Sequence, residues 1–125
     1  MIIIYHIITK MILNLFWEDF EENSYNIATL EYKNNLYFLR INEQELKKAI
    51  KRGCMGIGNC KFLKNEYSSK SLFNFFKNRI PSKNHPEIDK ILKKYNLNEY
   101  DEMKLLKITE ARRNTDRYWV VECFD

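Results

Sequence analysis

Chemistry needs particular side chains at particular spacings, and this chain offers few of them. Ser68, Ser69 and Ser71 stand close together, but a serine becomes a nucleophile only beside a base. His85 is the one base in prospect, and helix capping accounts for serines here without further assumption. The carboxylate pairs Glu18–Asp19 and Asp101–Glu102 sit in polar stretches, where burial does not tune one acid against the other. Cys54, Cys60 and Cys123 show no Cys-x-x-Cys spacing and the histidines are His6 and His85, so metal ligands are scarce. Residues 53–58, Gly-Cys-Met-Gly-Ile-Gly, hold every glycine of the chain. No strand runs directly into them and no Gly-Lys-Ser/Thr ending follows, so they read as a connection that needs positive φ rather than a phosphate cradle. The nucleotide lysine, catalytic aspartate and metal-binding residues of a protein kinase are not visible. The expectation is a non-catalytic protein without cofactor or metal.

Bulk properties narrow the class. The chain has 125 residues, 45% hydrophobic and 30% charged, which suits one globular domain and is too short for a kinase. Three glycines and two prolines suggest long regular elements with few elaborate loops. The net charge of +4 is unevenly spread: residues 1–45 carry three Lys/Arg against seven Asp/Glu, residues 46–125 eighteen against ten. The two ends can therefore face different partners. An odd number of cysteines without a framework reads as reduced thiols of a cytoplasmic protein. Residues 1–15 are apolar but interrupted by Tyr5, His6, Thr9 and Lys10, and they lack the charge order of a secretory signal. A membrane span would have to include His6, Lys10 and Asn14 and then meet Glu18 and Asp19. Residues 1–11 read as an edge strand or an upstream extension, with Met11 an alternative start.

The elements follow from periodicity. Residues 12–17 have strand composition, and 18–23 form an acidic connector beside Trp17, which is either a core residue or an interface anchor. Two apolar runs, 25–32 and 36–41, flank Lys33-Asn34-Asn35, and asparagine tolerates the left-handed backbone of a hairpin turn. Asn42 with Glu45 opens a helix whose apolar stripe is Leu46, Ala49 and Ile50 and which ends at Gly53. Residues 68–81 place Leu72, Phe75 and Phe76 on one face after capping serines and stop at Pro81, so they predict an aromatic core helix. Ile88, Ile91, Leu92 and Tyr95 predict a helix over 86–95, with His85 a capping or surface residue before it. A shorter helix starts at Asp101, and residues 118–124 have the β propensity of a last strand. The fold class expected is α+β: a small antiparallel sheet, hairpin plus terminal strands, packed against three or four helices.

One resemblance sharpens this. Leu72-Phe-Asn-Phe-Phe-x-Asn-Arg-Ile-Pro81, then a charged helix ending in Lys94-Tyr95, then Asp101-x-x-x-Leu105-Leu106, is similar to the N-terminal subdomain of HipA-type toxin kinases over roughly residues 25–121. That family's subdomain is a β-rich unit followed by an aromatic helix. It tends to carry glycine where Ala111 and Arg112 stand here, which weakens the alignment of the tail. The resemblance implies one domain over 12–125 that corresponds to a free-standing, HipS-like antitoxin. Such a protein would bind a HipA-like Ser/Thr kinase at the place of the fused subdomain, with a helix-turn-helix DNA-binding protein of the same operon as a further partner. The contacts implied by the motif are Phe73, Phe76, Asn78 and Arg79, to which composition adds Trp17 and Trp119; each can equally be core. Two other readings stay open. Lys and Arg from residue 46 onward, interleaved with Tyr95, Tyr100, Tyr118 and Trp119, suit a nucleic-acid-binding module. A stand-alone inhibitor of an unrelated host enzyme is the other.

Overall fold

The computed structural model describes residues 10–58 and 64–123. Residues 1–9, whose reading as extension or edge strand was open, lie outside them, as does Cys60. The elements in chain order are β1 (Met11–Glu18), β2 (Ser24–Lys33), β3 (Leu36–Ile41), α1 (Glu43–Lys51), β4 (Glu66–Ser69), α2 (Asn74–Lys77), α3 (Ile88–Lys94), α4 (Glu102–Thr109) and β5 (Tyr118–Glu122). The five strands form one open antiparallel sheet in the order β4-β3-β2-β1-β5. This is the α+β class read from the sequence, with four helices.

Strand alternation gives the sheet two faces. Leu13, Leu15 and Trp17 of β1, Leu30 of β2, Leu39 of β3 and Val120 of β5 are buried on the inner face, while Ile12, Asn14, Phe16 and Trp119 on the outer face are half-buried. The hairpin turns through Asn34 and Asn35 at φ 53° and 64°, the positive values that a two-residue turn of this hand demands. Between β1 and β2 the register shifts after Leu15, which pairs with Ala28, so that Phe16 pairs with Asn26 and Ile27 is the extra residue. With its amide nitrogen turned to the bulge, Asn26 donates to Ala28 O (3.1 Å) and Leu15 O (3.2 Å). Ile27 is wholly buried there, which adds an apolar side chain that strict alternation would have sent outward.

The helices cap and pack as sequence suggests in two cases. Asn42 Oδ1 accepts from Glu45 N (3.5 Å) at the start of α1, and Asp101 Oδ1 accepts from Lys104 N (3.1 Å) at the start of α4. Leu46 and Ala49 of α1 and Met103, Leu105 and Leu106 of α4 are buried. Ile50, expected in the stripe, is 43% exposed. The helix over 86–95 is present as α3 but buries no residue fully, and Leu92 and Tyr95 pack against the core from its margin. His85 is exposed and its Nδ1 accepts from Glu87 N (3.0 Å) just before α3.

The aromatic segment departs most from its sequence reading. Residues 68 and 69 belong to β4, where Phe38 pairs with Ser68 and Tyr37 with Ser69. Ser69 Oγ accepts from Ser71 N (3.1 Å), which turns the chain out of the sheet, and α2 then lasts one turn with Phe73 at its N-cap. The open edge of β3 satisfies backbone groups that a longer helix would have satisfied internally. The long regular elements expected from low glycine content are correspondingly absent from the helices.

The connector between β1 and β2 turns on Asp19, which is 2% exposed. Its carboxylate accepts from Glu21 N (2.9 Å), Asn23 N (2.9 Å), Asn23 Nδ2 (3.2 Å) and Tyr25 Oη (2.9 Å). Burial alone would raise this carboxyl, but the hydrogen bonds from Asn23, Tyr25 and Glu21 outweigh it and lower it from 3.8 to about 2. A carboxyl lowered in the folded state stabilises above its unfolded value and loses that contribution as pH falls through the folded one. Urea unfolding of the wild type should therefore weaken between about pH 4 and pH 2, and Asp19→Asn should flatten that limb while lowering stability at neutral pH.

Candidate functional site

On the inner face, the chain after α1, the turn of α2 and the connector before β5 do not fully cover β3 and β4. A cleft of about 710 Å³ remains. It is lined by Leu39 and Tyr67 of the sheet, by Met55 and Ile57 from the chain after α1, and by Phe73 and Phe75 at α2. Met55 is 90% exposed. Gly53, Gly56 and Gly58 take φ of 111°, 86° and 56°, as the glycine segment was expected to do, and a side chain added at Gly58 would rest 3.6 Å from Phe75 Cβ.

The end of the cleft is built around Arg79, whose side chain is 3% exposed. Its Nη1 donates to Ala111 O (2.7 Å) and its Nη2 pairs with Asp116 Oδ2. Its guanidinium lies 4.6 Å from the Phe75 ring centre and 4.9 Å from that of Tyr118. Those two rings meet edge to face at 5.0 Å. The Tyr118 hydroxyl donates to Gly56 O and lies 3.6 Å from Cys54 Sγ. Burial, then the contact with Cys54, raises the Tyr118 hydroxyl well above the ordinary tyrosine range, so it is a neutral structural donor at any physiological pH. Arg113, on the rim, donates to Asn78 O.

The six residues singled out in the sequence separate cleanly. Phe73, Asn78 and Arg79 all line the cleft. Phe73 is half-buried and Asn78 exposed. Phe76 is 0% and Trp17 6% exposed, and both side chains belong to the core, without surface to meet a partner. Arg79 is equally enclosed. Trp119 is half-buried on the outer face, away from the cleft. Sequence reading missed Met55, Ile57, Tyr67, Phe75 and Arg113 as cleft residues. The glycine-rich segment marked the lip, but nothing local placed β4 beside it.

A second hollow of about 490 Å³ lies between the hairpin and the start of α4, with Tyr32, Tyr37 and Tyr100 in its wall. Tyr37 Oη donates to Glu102 Oε1 (2.9 Å) and Tyr100 Oη to Pro81 O (2.6 Å), so these hydroxyls tie helical segments to the sheet and to each other. Ser69 and Ser71 are joined by a turn hydrogen bond, and the His85 ring accepts from Glu87 N rather than from a serine hydroxyl, its backbone N–H donating to Ser82 O (3.0 Å). Among those residues no group of three His, Cys, Asp or Glu could hold a metal ion. No helix among them is long and apolar enough to cross a membrane.

Arg79→Glu tests whether Arg79 is a contact or part of the core. Here it would set a carboxylate, at a position 3% exposed, against Asp116. Removing one partner of a buried pair costs about 3–5 kcal/mol, so both Arg79→Glu and Arg79→Met should lower the urea-unfolding free energy on that scale. Tyr118→Phe, which leaves Gly56 O without its donor, should cost about 1–3 kcal/mol in the same measurement.

Compared with models of protein families, with curated proteins and with solved structures, the chain matches none.

Proposed function

We propose that this chain is a non-catalytic, antitoxin-like protein-binding module that docks on a HipA-like Ser/Thr kinase and restrains it, using the inner-face cleft as its main contact. The observation that carries the reading is the character of that cleft: about 710 Å³, and lined mainly by aromatic and aliphatic side chains, among them the exposed Met55 and the half-buried Phe73. Its enclosed cation, Arg79, is paired with the part-exposed Asp116. A site of this kind holds an apolar anchor of another protein. It offers no base poised on a nucleophile for turnover of a substrate.

The motif residues support the same reading by their positions. Phe73, Asn78 and Arg79, drawn from the kinase-subdomain resemblance, line the cleft, while Phe76 is buried in the core. The nucleic-acid reading is less well supported, because Tyr118 is 8% exposed and its hydroxyl is spent inside the protein. It is thereby withdrawn from the set of stacking residues that reading needs.

Met55→Glu and Asn78→Asp, both at exposed positions, leave the fold intact and should weaken binding to a HipA-like kinase that lacks this subdomain. Loss of an apolar anchor costs about tenfold or more in affinity, read by isothermal titration alongside thermal melting. Absence of any wild-type binding to such a kinase, or unchanged affinity in both variants, would refute the reading.

A further inference from the structure

We propose that the second hollow, between the hairpin and the start of α4, is a binding site for an organic ammonium group, held by three tyrosine rings and two carboxylates. The hollow shares no lining residue with the cleft, so the site goes beyond the docking reading and does not rest on it. Its volume of about 490 Å³ falls in the range of about 300–1,000 Å³ usual for small-molecule sites.

Strand register builds one side of it. Met11 pairs with Tyr32 and Tyr32 with Tyr37, so β1, β2 and β3 each set one residue in a row across the hairpin end of the sheet. Alternation puts that row on the inner face, with Leu13, Leu30 and Leu39. The Tyr32 and Tyr37 rings have centres 4.6 Å apart and planes 48° from parallel, which makes a corner rather than a flat stack. Tyr100, just ahead of α4, adds the third ring. All three hydroxyls are engaged within the protein, Tyr32 donating to Asn35 Oδ1 (3.4 Å), Tyr37 to Glu102 and Tyr100 to Pro81 O. What the tyrosines leave for a ligand is ring surface, and ring faces attract cations. Other rings are already met by the chain's own cations: Phe75 and Tyr118 by Arg79, Trp119 by Arg112, Phe20 by Arg117 and Tyr95 by Lys94. No cation among the described residues lies over Tyr32, Tyr37 or Tyr100 in this way.

The charges around the hollow point the same way once their partners are assigned. Two lysines line it, Lys10 and Lys104, with the acids Glu99, Asp101 and Glu102. Lys10 Nζ is 3.5 Å from Glu31, which pairs with Ile12 and stands with it on the outer face, so this ammonium is drawn away from the hollow. Lys104 Nζ is 4.0 Å from Asp101 Oδ2. Glu99 and Glu102 form no ion pair among the described residues, and two carboxylates remain for a cation. The positive end of α4 is met by Asp101, whose Oδ1 accepts from Lys104 N. Burial, then the hydrogen bond to Glu102, raises the Tyr37 hydroxyl well above the ordinary tyrosine range, and burial, then the Glu102 charge, raises that of Tyr100. Both rings therefore stay neutral at physiological pH, and Glu102 acts on both. An anion would face Glu99 and Glu102, and a neutral ligand would leave them uncompensated.

The test titrates the full chain with choline, with N-acetyl-lysine methylamide and with 3,3-dimethylbutan-1-ol, which has the shape of choline without its charge. Choline should shift the ring resonances of Tyr32, Tyr37 and Tyr100 with a Kd of about 1 mM or lower. The uncharged alcohol should bind about tenfold or more weakly. Glu99→Gln, at an exposed position, and Tyr32→Leu, at a half-buried one, should each weaken choline binding about threefold or more, with the fold checked by thermal melting. Tighter binding of choline than of the lysine derivative sustains the site and assigns the group to a free amine; the reverse order sustains it and assigns the group to a protein side chain. Equal binding of choline and its uncharged twin, or no shift at about 10 mM of either ammonium compound, would overturn the site. So would choline binding that both variants retain unchanged.

Discussion

Arg79 holds three parts of the chain that would otherwise separate. Its guanidinium joins the turn of α2, in which it is anchored, to Ala111 and Asp116 on the connector and to the Tyr118 ring on β5. A buried cation is costly to desolvate unless every donor direction is met. Here a carbonyl, a carboxylate and two aromatic faces meet it. Because these partners come from separate segments, the requirement is also a positional constraint, and it fixes where the wall of the cleft stands and where the arginine-bearing connector leaves the sheet.

That connector reverses through an unusual backbone. Glu110 and Ala111 take successive left-handed conformations, φ 58° and 54°, which cost residues with a Cβ more than they cost glycine. Ala111 is fully buried and its carbonyl is the one that Arg79 engages. The strained pair is thus held by the interaction it makes possible.

The sheet divides the labour of the surface. Its inner face carries the helices and the core, and the inner cleft exists because α2 is one turn rather than three. Its outer face is left to half-buried aromatics that shield each other and to a central polar pair, Thr29 Oγ1 donating to Asn14 Oδ1 at 3.2 Å. One face therefore holds an apolar cleft and the other a layer of half-buried rings, and β5 borders both.

How much of this was legible in the sequence depends on whether the information was local. The hairpin, the Asn42 and Asp101 caps, the apolar faces of α1 and α4 and the terminal strand all rest on spacings of a few residues, and each is present. Residues 68–81 were misread as a helix because Leu72, Phe75 and Phe76 obey helical spacing, and the spacing cannot register a competing sheet edge. Trp17, Phe76 and Arg79 looked like contacts because aromatic and arginine side chains serve interfaces and cores alike. What the sequence by itself determined was the α+β class and most of the element types, since periodicity and turn residues act within short range. What only the tertiary structure decided was which rings are buried, that Arg79 is matched by Asp116 thirty-seven positions away, and where the cleft and the second hollow lie. Those outcomes depend on which distant backbone groups and charges come together, and the local pattern carries no record of them.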